Sequence, residues 1–184
     1  MLLLKRTSTL VNAIYFFVIA LFIASCGPSK NISSTKEKEN TSSSSKIKTK
    51  YAQLLDVNEN KIDNLPLFTF INEWYGVKYK YGGKTKKGID CSAFTSVLYH
   101  DVYKKQLDGT AASIFYQCKN LSKNNLTEGD LVFFKIENDN INHIGIYLQN
   151  NKFVHASTKK GIMIDDLDEA YYKKYFFKAG RLKN

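Results

Sequence analysis

The run Gly88-Ile89-Asp90-Cys91-Ser92-Ala93-Phe94 reads as the start of a helix that carries a nucleophile. A cysteine in the first helical turn feels the positive end of the helix dipole and unpaired backbone N–H groups. Both favour thiolate over thiol, and the thiolate is the reactive form. Two histidines follow, His143 and His155, each within a strand-like stretch. A cysteine whose histidines lie far away in sequence fits a hydrolase that attacks a carbonyl carbon, because such partners meet only in the fold. His100, near the end of the Cys91 helix, lacks such support and reads as a surface residue.

The elements around these residues change character along the chain. Phe68, Ile71 and Tyr75 recur at helical spacing within Leu65 to Val77, with Pro66 fit for the first turn and Gly76 for the end. An irregular stretch, 78–88, holds Gly82, Gly83 and Gly88. No Gly-Lys-Ser or Gly-Lys-Thr follows, so these glycines serve a tight backbone path rather than a phosphate. The Cys91 helix then buries Phe94, Val97, Leu98 and Val102 and runs to about Tyr103. A short helix is expected near Ala111 to Cys118, and a turn at Thr127 to Asp130 that Asp130 caps.

Beyond that turn the apolar period becomes two. Leu131 to Ile136, Ile141 to Leu148, Lys152 to Ser157, Gly161 to Ile164 and Tyr175 to Leu182 read as five strands. Helices first and strands afterwards predict an α+β domain, its sheet antiparallel and its helices on one face. In the hairpin from Ile141 to Ser157, the core face comprises Ile144, Ile146, Leu148, Val154 and Ala156. The two histidines share the other face only if the connection is odd in length or bulged. A connection centred on Asn150 sets His155 opposite Gly145 and makes the histidines diagonal neighbours. Gly145, having no side chain, leaves the imidazoles room to meet.

The first 25 residues have the composition of a secretory signal: Lys5 and Arg6, then an apolar stretch, then Ala24 and Ser25. Leu21-Phe22-Ile23-Ala24-Ser25-Cys26 resembles a bacterial lipobox, which predicts cleavage before Cys26 and lipidation of its sulfur. Residues 26–50, rich in Lys and Ser and without an aromatic residue, are expected to be a flexible tether. Residues 51–184 are expected to form one domain. From Tyr51 on there are 19 Lys and Arg against 15 Asp and Glu, a net charge near +4 of the chain's +10. That argues against nucleic acid as a partner and suits an anionic polymer such as a cell wall. No metal-ligand spacing and no repeat is present. The third cysteine, Cys118, reads as a bystander, the alternative being a Cys91–Cys118 disulfide in an exported protein.

Five segments together resemble the NlpC-type (NlpC/P-sixty) peptidoglycan cysteine peptidases. They are the runs from Trp74 to Gly83, Gly88 to Ser92, Glu128 to Phe134, His143 to Leu148, and Phe153 to Ser157. They occur in the family's order over about residues 65–182. The resemblance implies a papain-like α+β fold with a five- to six-stranded antiparallel sheet and a Cys91-His143-His155 triad. It also implies an oxyanion contact from Tyr79 and the Cys91 N–H, and substrate contacts at Asp90, Ser92 and Thr110. Ala93 and Gly109 depart from the Gly and Arg that many members carry there.

The expectation is therefore a lipid-anchored peptidoglycan endopeptidase, needing no cofactor or metal and monomeric. It would cut D-glutamyl–diaminopimelate bonds or diaminopimelate cross-links of stem peptides, from the periplasmic side of an outer membrane. An acyltransferase or thioesterase on the same fold is one alternative, although a His-before-Cys order is absent here. A non-catalytic wall-binding lipoprotein is another, although none of the three triad residues is missing.

Overall fold

Period-two patterning in the C-terminal half produces an antiparallel sheet of six strands in a computed structural model that describes residues 33–183 apart from Asn138. The signal expected at 1–25 and the lipidation expected at Cys26 fall outside the described residues. The helices are α1 (Ser33–Leu55), α2 (Leu65–Trp74), α3 (Cys91–Tyr103), α4 (Ala111–Tyr116) and α5 (Ala170–Tyr175). A two-stranded ribbon, β1 (Lys84–Thr85) and β2 (Gly88–Ile89), precedes α3. The main sheet comprises β3 (Cys118–Leu121), β4 (Leu131–Phe134), β5 (His143–Tyr147), β6 (Lys152–Ser157), β7 (Gly161–Asp166) and β8 (Phe176–Leu182). Its order is β3-β8-β4-β5-β6-β7, with every pairing antiparallel.

The expected core face of the β5–β6 hairpin is the observed one, with Ile144, Ile146, Leu148, Val154 and Ala156 all fully buried. They meet Phe94 and Leu98 of α3 and Leu67, Phe68 and Ile71 of α2 in the main core. The opposite face of the sheet is covered as well. Val132, Phe134 and Phe153 pack there with Leu167 and Tyr172. This corrects the expectation that all helices lie on one face: α5 brings Tyr172 to the other side. The helix was not foreseen because its six residues are too few to display a period, and its buried contact is a single ring.

Two further differences concern boundaries. The short helix expected to reach Cys118 ends at Tyr116 as α4, and Cys118–Leu121 instead pairs with β8. The flexible tether expected through residue 50 also differs from the structure. Ser33–Leu55 is helical, and the compact unit begins at Thr41. Tyr51 and Leu55 are fully buried, and Ile47 packs against the core. These three residues are spaced four apart and so fall on one helix face. Docking that face onto Phe68 offsets the ordering entropy of a lysine- and serine-rich segment. No helix among the described residues is long and apolar enough to cross a membrane.

Candidate active site

Cys91 is the first residue of α3, as its sequence context predicts. Asp90 caps the helix: its Oδ1 accepts the Ala93 N–H at 2.8 Å and the Ser92 hydroxyl at 3.0 Å. Its Oδ2 accepts the Gly82 N–H at 3.0 Å, tying the helix start to the loop before it. That loop runs beside the ribbon, where Lys80 N–H donates to Ile89 O and Ile89 N–H to Lys78 O. Tyr79 is bridged to Ile89, two residues before Cys91. Gly83 permits the path, since a Cβ there would lie 2.4 Å from Gly88 O. Asp90 and Ser92 thus form the capping structure itself. Thr110 is exposed and caps α4 by accepting the Ser113 N–H at 3.2 Å.

The two histidines come together through the strand register. Gly145 pairs with His155, Ile146 with Val154 and Tyr147 with Phe153, a register centred on Asn150. The turn has positive φ at Asn150 and Asn151, and Lys152 N–H donates to Gln149 O. Leu148 N–H in turn donates to Lys152 O, so a bulged residue restores the odd register. The expected arrangement is therefore present: His143 Nε2 lies 2.8 Å from His155 Nδ1. Gly145 leaves the space they need, because a Cβ there would meet Phe153 Cδ2 at 2.6 Å and His155 Cβ at 3.2 Å.

Both rings are buried, at 7% and 2% exposure. Burial first, then the neighbouring His155, holds His143 well below the usual imidazole range, against an opposing pull from Asp165. Cys91 is buried as well, and burial pushes its thiol up to about 11. Backbone hydrogen bonds from Ile144, Ser92 and Cys91 itself oppose that rise without cancelling it. Ile144, whose backbone is one of these groups, lies in β5, the strand that begins with His143. Loss of water thus outweighs the backbone donors at the helix start and favours the neutral thiol. Tyr79 is half-buried, and burial followed by the nearby Cys91 and Asp90 raises its phenol to about 12, so it remains a donor.

Two residues absent from the sequence reading complete the cluster. Asp165 Oδ2 lies 2.9 Å from His155 Nε2, and the Tyr172 hydroxyl donates to the same oxygen at 2.6 Å. Burial alone would raise the Asp165 carboxyl; hydrogen bonds from His155 and Tyr172 outweigh it and hold the group below its ordinary value. The missing signal was one residue of strand. Strand β7, expected to end at Ile164, continues to Asp166, and Asp165 shares its face with His155. A cavity of about 330 Å³ opens beside these groups, lined by Tyr79, His143, His155, Lys160, Asp165 and Tyr172 among others.

The remaining candidates are peripheral. His100 is exposed and pairs with Asp101 at 2.7 Å. Cys91 and Cys118 are both free thiols, and Cys118 Sγ donates to Ile114 O. Asp130 is buried and structural as expected, accepting from Thr127 N–H and from Arg181. Among the described residues no group of His, Cys, Asp and Glu could hold a metal ion.

Residues 76–181 match the NlpC/P60 family model. The chain belongs to the NlpC/P60 family. It is 40% identical over 116 residues to the probable endopeptidase NlpC homolog of Haemophilus influenzae, covering 63% of this chain and 61% of that protein. It is 41% identical over 110 residues to the murein DD-endopeptidase MepS/murein LD-carboxypeptidase of Escherichia coli K12, covering 60% and 58%. The chain thus spans about three fifths of the length of these relatives. A crystal structure of an NlpC/P60 family protein from Bacillus cereus superposes with a TM-score of 0.59 at 21% identity, covering 65% of this chain and 40% of that one. This likeness establishes the papain-like α+β fold of the NlpC/P60 domain.

Proposed function

We propose that this NlpC/P60 protein is a peptidoglycan endopeptidase acting through a Cys91-His143-His155 triad. The observation that carries the reading is the 2.8 Å contact between the buried imidazoles of His143 and His155. A raised thiol and a lowered imidazole describe a neutral resting pair. Cys91 therefore gives its proton to His143 as the sulfur attacks the scissile carbonyl, rather than before substrate arrives. The carbonyl oxygen takes the negative charge, and the Cys91 N–H and Tyr79 hydroxyl donate to it. His143 then protonates the leaving amine as the C–N bond breaks. Water, deprotonated by His143, hydrolyses the resulting thioester and regenerates the thiol.

The substrate in this reading is a stem peptide or its cross-link. The name of the Escherichia coli relative, a DD-endopeptidase, favours the cross-link over the D-glutamyl–diaminopimelate bond. The lipobox-like run ending at Cys26 supports lipidation there, and the lack of acidic residues just after Cys26 favours the periplasmic face of an outer membrane. The test is mass spectrometry of wall fragments, cross-linked and uncross-linked, after incubation with the full chain and with its Cys91→Ala variant. New fragments lost in the variant support the peptidase, and their masses identify the bond. An uncut wall in the presence of folded protein would favour acyl transfer or a binding role. Labelled palmitate entering the wild-type chain but not Cys26→Ser would support the anchor.

A further inference from the structure

We propose that Asp165, held by Tyr172, is a positioning residue that sets the tautomer of both histidines and so leaves His143 able to act as a base. The proposal rests on the triad reading above. His143, His155 and Asp165 lie on one straight diagonal across three strands. His155 pairs with Gly145, two residues from His143, and with Met163, two residues from Asp165. Each offset is the same, and each brings polar atoms within 2.9 Å.

The logic is one of donors and acceptors. An ionised carboxylate only accepts, and a neutral imidazole carries one N–H and one lone pair. Hydrogen bonds from His155 and Tyr172 keep Asp165 ionised, and Lys160 adds a positive charge nearby. The Tyr172 hydroxyl is already committed to Oδ2 at 2.6 Å, with its oxygen a further 3.3 Å contact of His155 Nε2. His155 must therefore carry its hydrogen on Nε2, which leaves Nδ1 as an acceptor. His143 Nε2 then carries the hydrogen that fills the 2.8 Å contact. The lone pair of His143 falls on Nδ1, the nitrogen that the His155 contact leaves available to the thiol.

Nothing in this arrangement requires a proton to reach Asp165. When Cys91 gives up its proton, His143 becomes an imidazolium with hydrogens on both nitrogens. His155 accepts from it more strongly, and Asp165 stabilises the added charge through His155. The titratable groups facing His143 are His155 and Asp165, and those facing Asp165 are His155, Tyr172 and Lys160.

Long-range ¹H–¹⁵N correlation spectra of the full chain read the tautomers directly and need no substrate. The chain has three histidines, and a His100→Gln variant removes the surface one from the spectrum. The expected result is an Nε2–H form for both His143 and His155 at neutral pH, and its loss or mixing at His155 in Asp165→Asn. Wall cleavage by Asp165→Asn should fall about 10²- to 10⁴-fold in kcat, the scale seen when a triad imidazole is left in the wrong tautomer, with KM little changed. Tyr172→Phe, which keeps the ring, should lower kcat about 3- to 10-fold, as expected for one lost charge-assisted hydrogen bond. A wild-type Nδ1–H form at His155, or full kcat in Asp165→Asn, would overturn the proposal. If the tautomers are as expected but the wild type cuts no wall, the function assigned above fails and the positioning role stands. If the wild type cuts and Asp165→Asn cuts equally, the positioning role alone fails.

Discussion

His143 and His155 are diagonal neighbours across β5 and β6, two residues out of direct register, and this offset brings Nε2 of one within 2.8 Å of Nδ1 of the other. Direct pairing would set His155 against His143 itself. The strand pair instead sets it against Gly145.

Gly145 is therefore the first place to perturb the site without touching a polar group. In Gly145→Ala the new methyl meets the Phe153 ring at 2.6 Å and the His155 Cβ at 3.2 Å. Overpacking of this kind costs about 1–3 kcal/mol. The expected outcome is a folded protein with a lowered urea midpoint and a kcat reduced at least about tenfold, the cost of misplacing a catalytic group.

Alkylation of Cys91 checks the state of the thiol. Burial raises the group to about 11, so its thiolate is scarce at neutral pH. Iodoacetamide labelling, followed on the Cys91 peptide by mass spectrometry, should be slow at pH 7 and accelerate roughly tenfold per pH unit as the thiolate grows. Rapid labelling at pH 5–7 would instead indicate a standing thiolate–imidazolium pair and would sink the neutral resting state.

The junction of α1 with the core tests where the folded unit begins. Leu55→Ala removes a fully buried side chain and should cost about 2–5 kcal/mol in urea unfolding. A chain starting at Tyr51 should be less stable than one starting at Thr41. It lacks Ile47, which packs on the core, and Lys50, whose Nζ bonds Asn72 Oδ1 at 2.6 Å. Equal stability of the two would mean that the helix ahead of Tyr51 contributes nothing.

Acid stability should report the two aspartates at the end of β7. Both are held below the ordinary carboxylate value of 3.8: burial raises each, but hydrogen bonds outweigh it, from His155 and Tyr172 at Asp165 and from Lys152 and Asp168 N–H at Asp166. A depressed carboxylate stabilises the fold above its unfolded pKa, and that stability disappears as pH falls through the folded pKa. Urea unfolding should therefore show a steady loss below about pH 4, the carboxylate range. The slope should be shallower in Asp166→Asn. An unchanged slope would mean that these carboxylates titrate alike in folded and unfolded chains.

Much of the site was legible because it depends on short-range patterns. The run from Gly88 to Phe94 reads as a helix start, and the structure begins α3 there with the Asp90 carboxylate accepting the Ala93 N–H. Alternation in Ile141 to Ser157 separates a core face from a histidine face, since strand side chains alternate. Gly145 opposite His155 follows from that alternation once the connection is odd. The sequence by itself thus determined the family, the α+β class and the Cys91 helix, and it made the shared face of His143 and His155 a matter of one odd connection.

Tertiary structure decided what depends on distant chain segments. Asp165 joins His155 only because β7 pairs with β6 in one register, and Tyr172 reaches Asp165 only because α5 folds over the outer face of the sheet. Helix α1 holds its place through Phe68, which its own composition does not announce. Burial by the surrounding elements raises the thiol of Cys91, outweighing the backbone hydrogen bonds that lower it. Local geometry propagates over a turn or two of chain; burial and proton affinity are sums over everything that packs nearby.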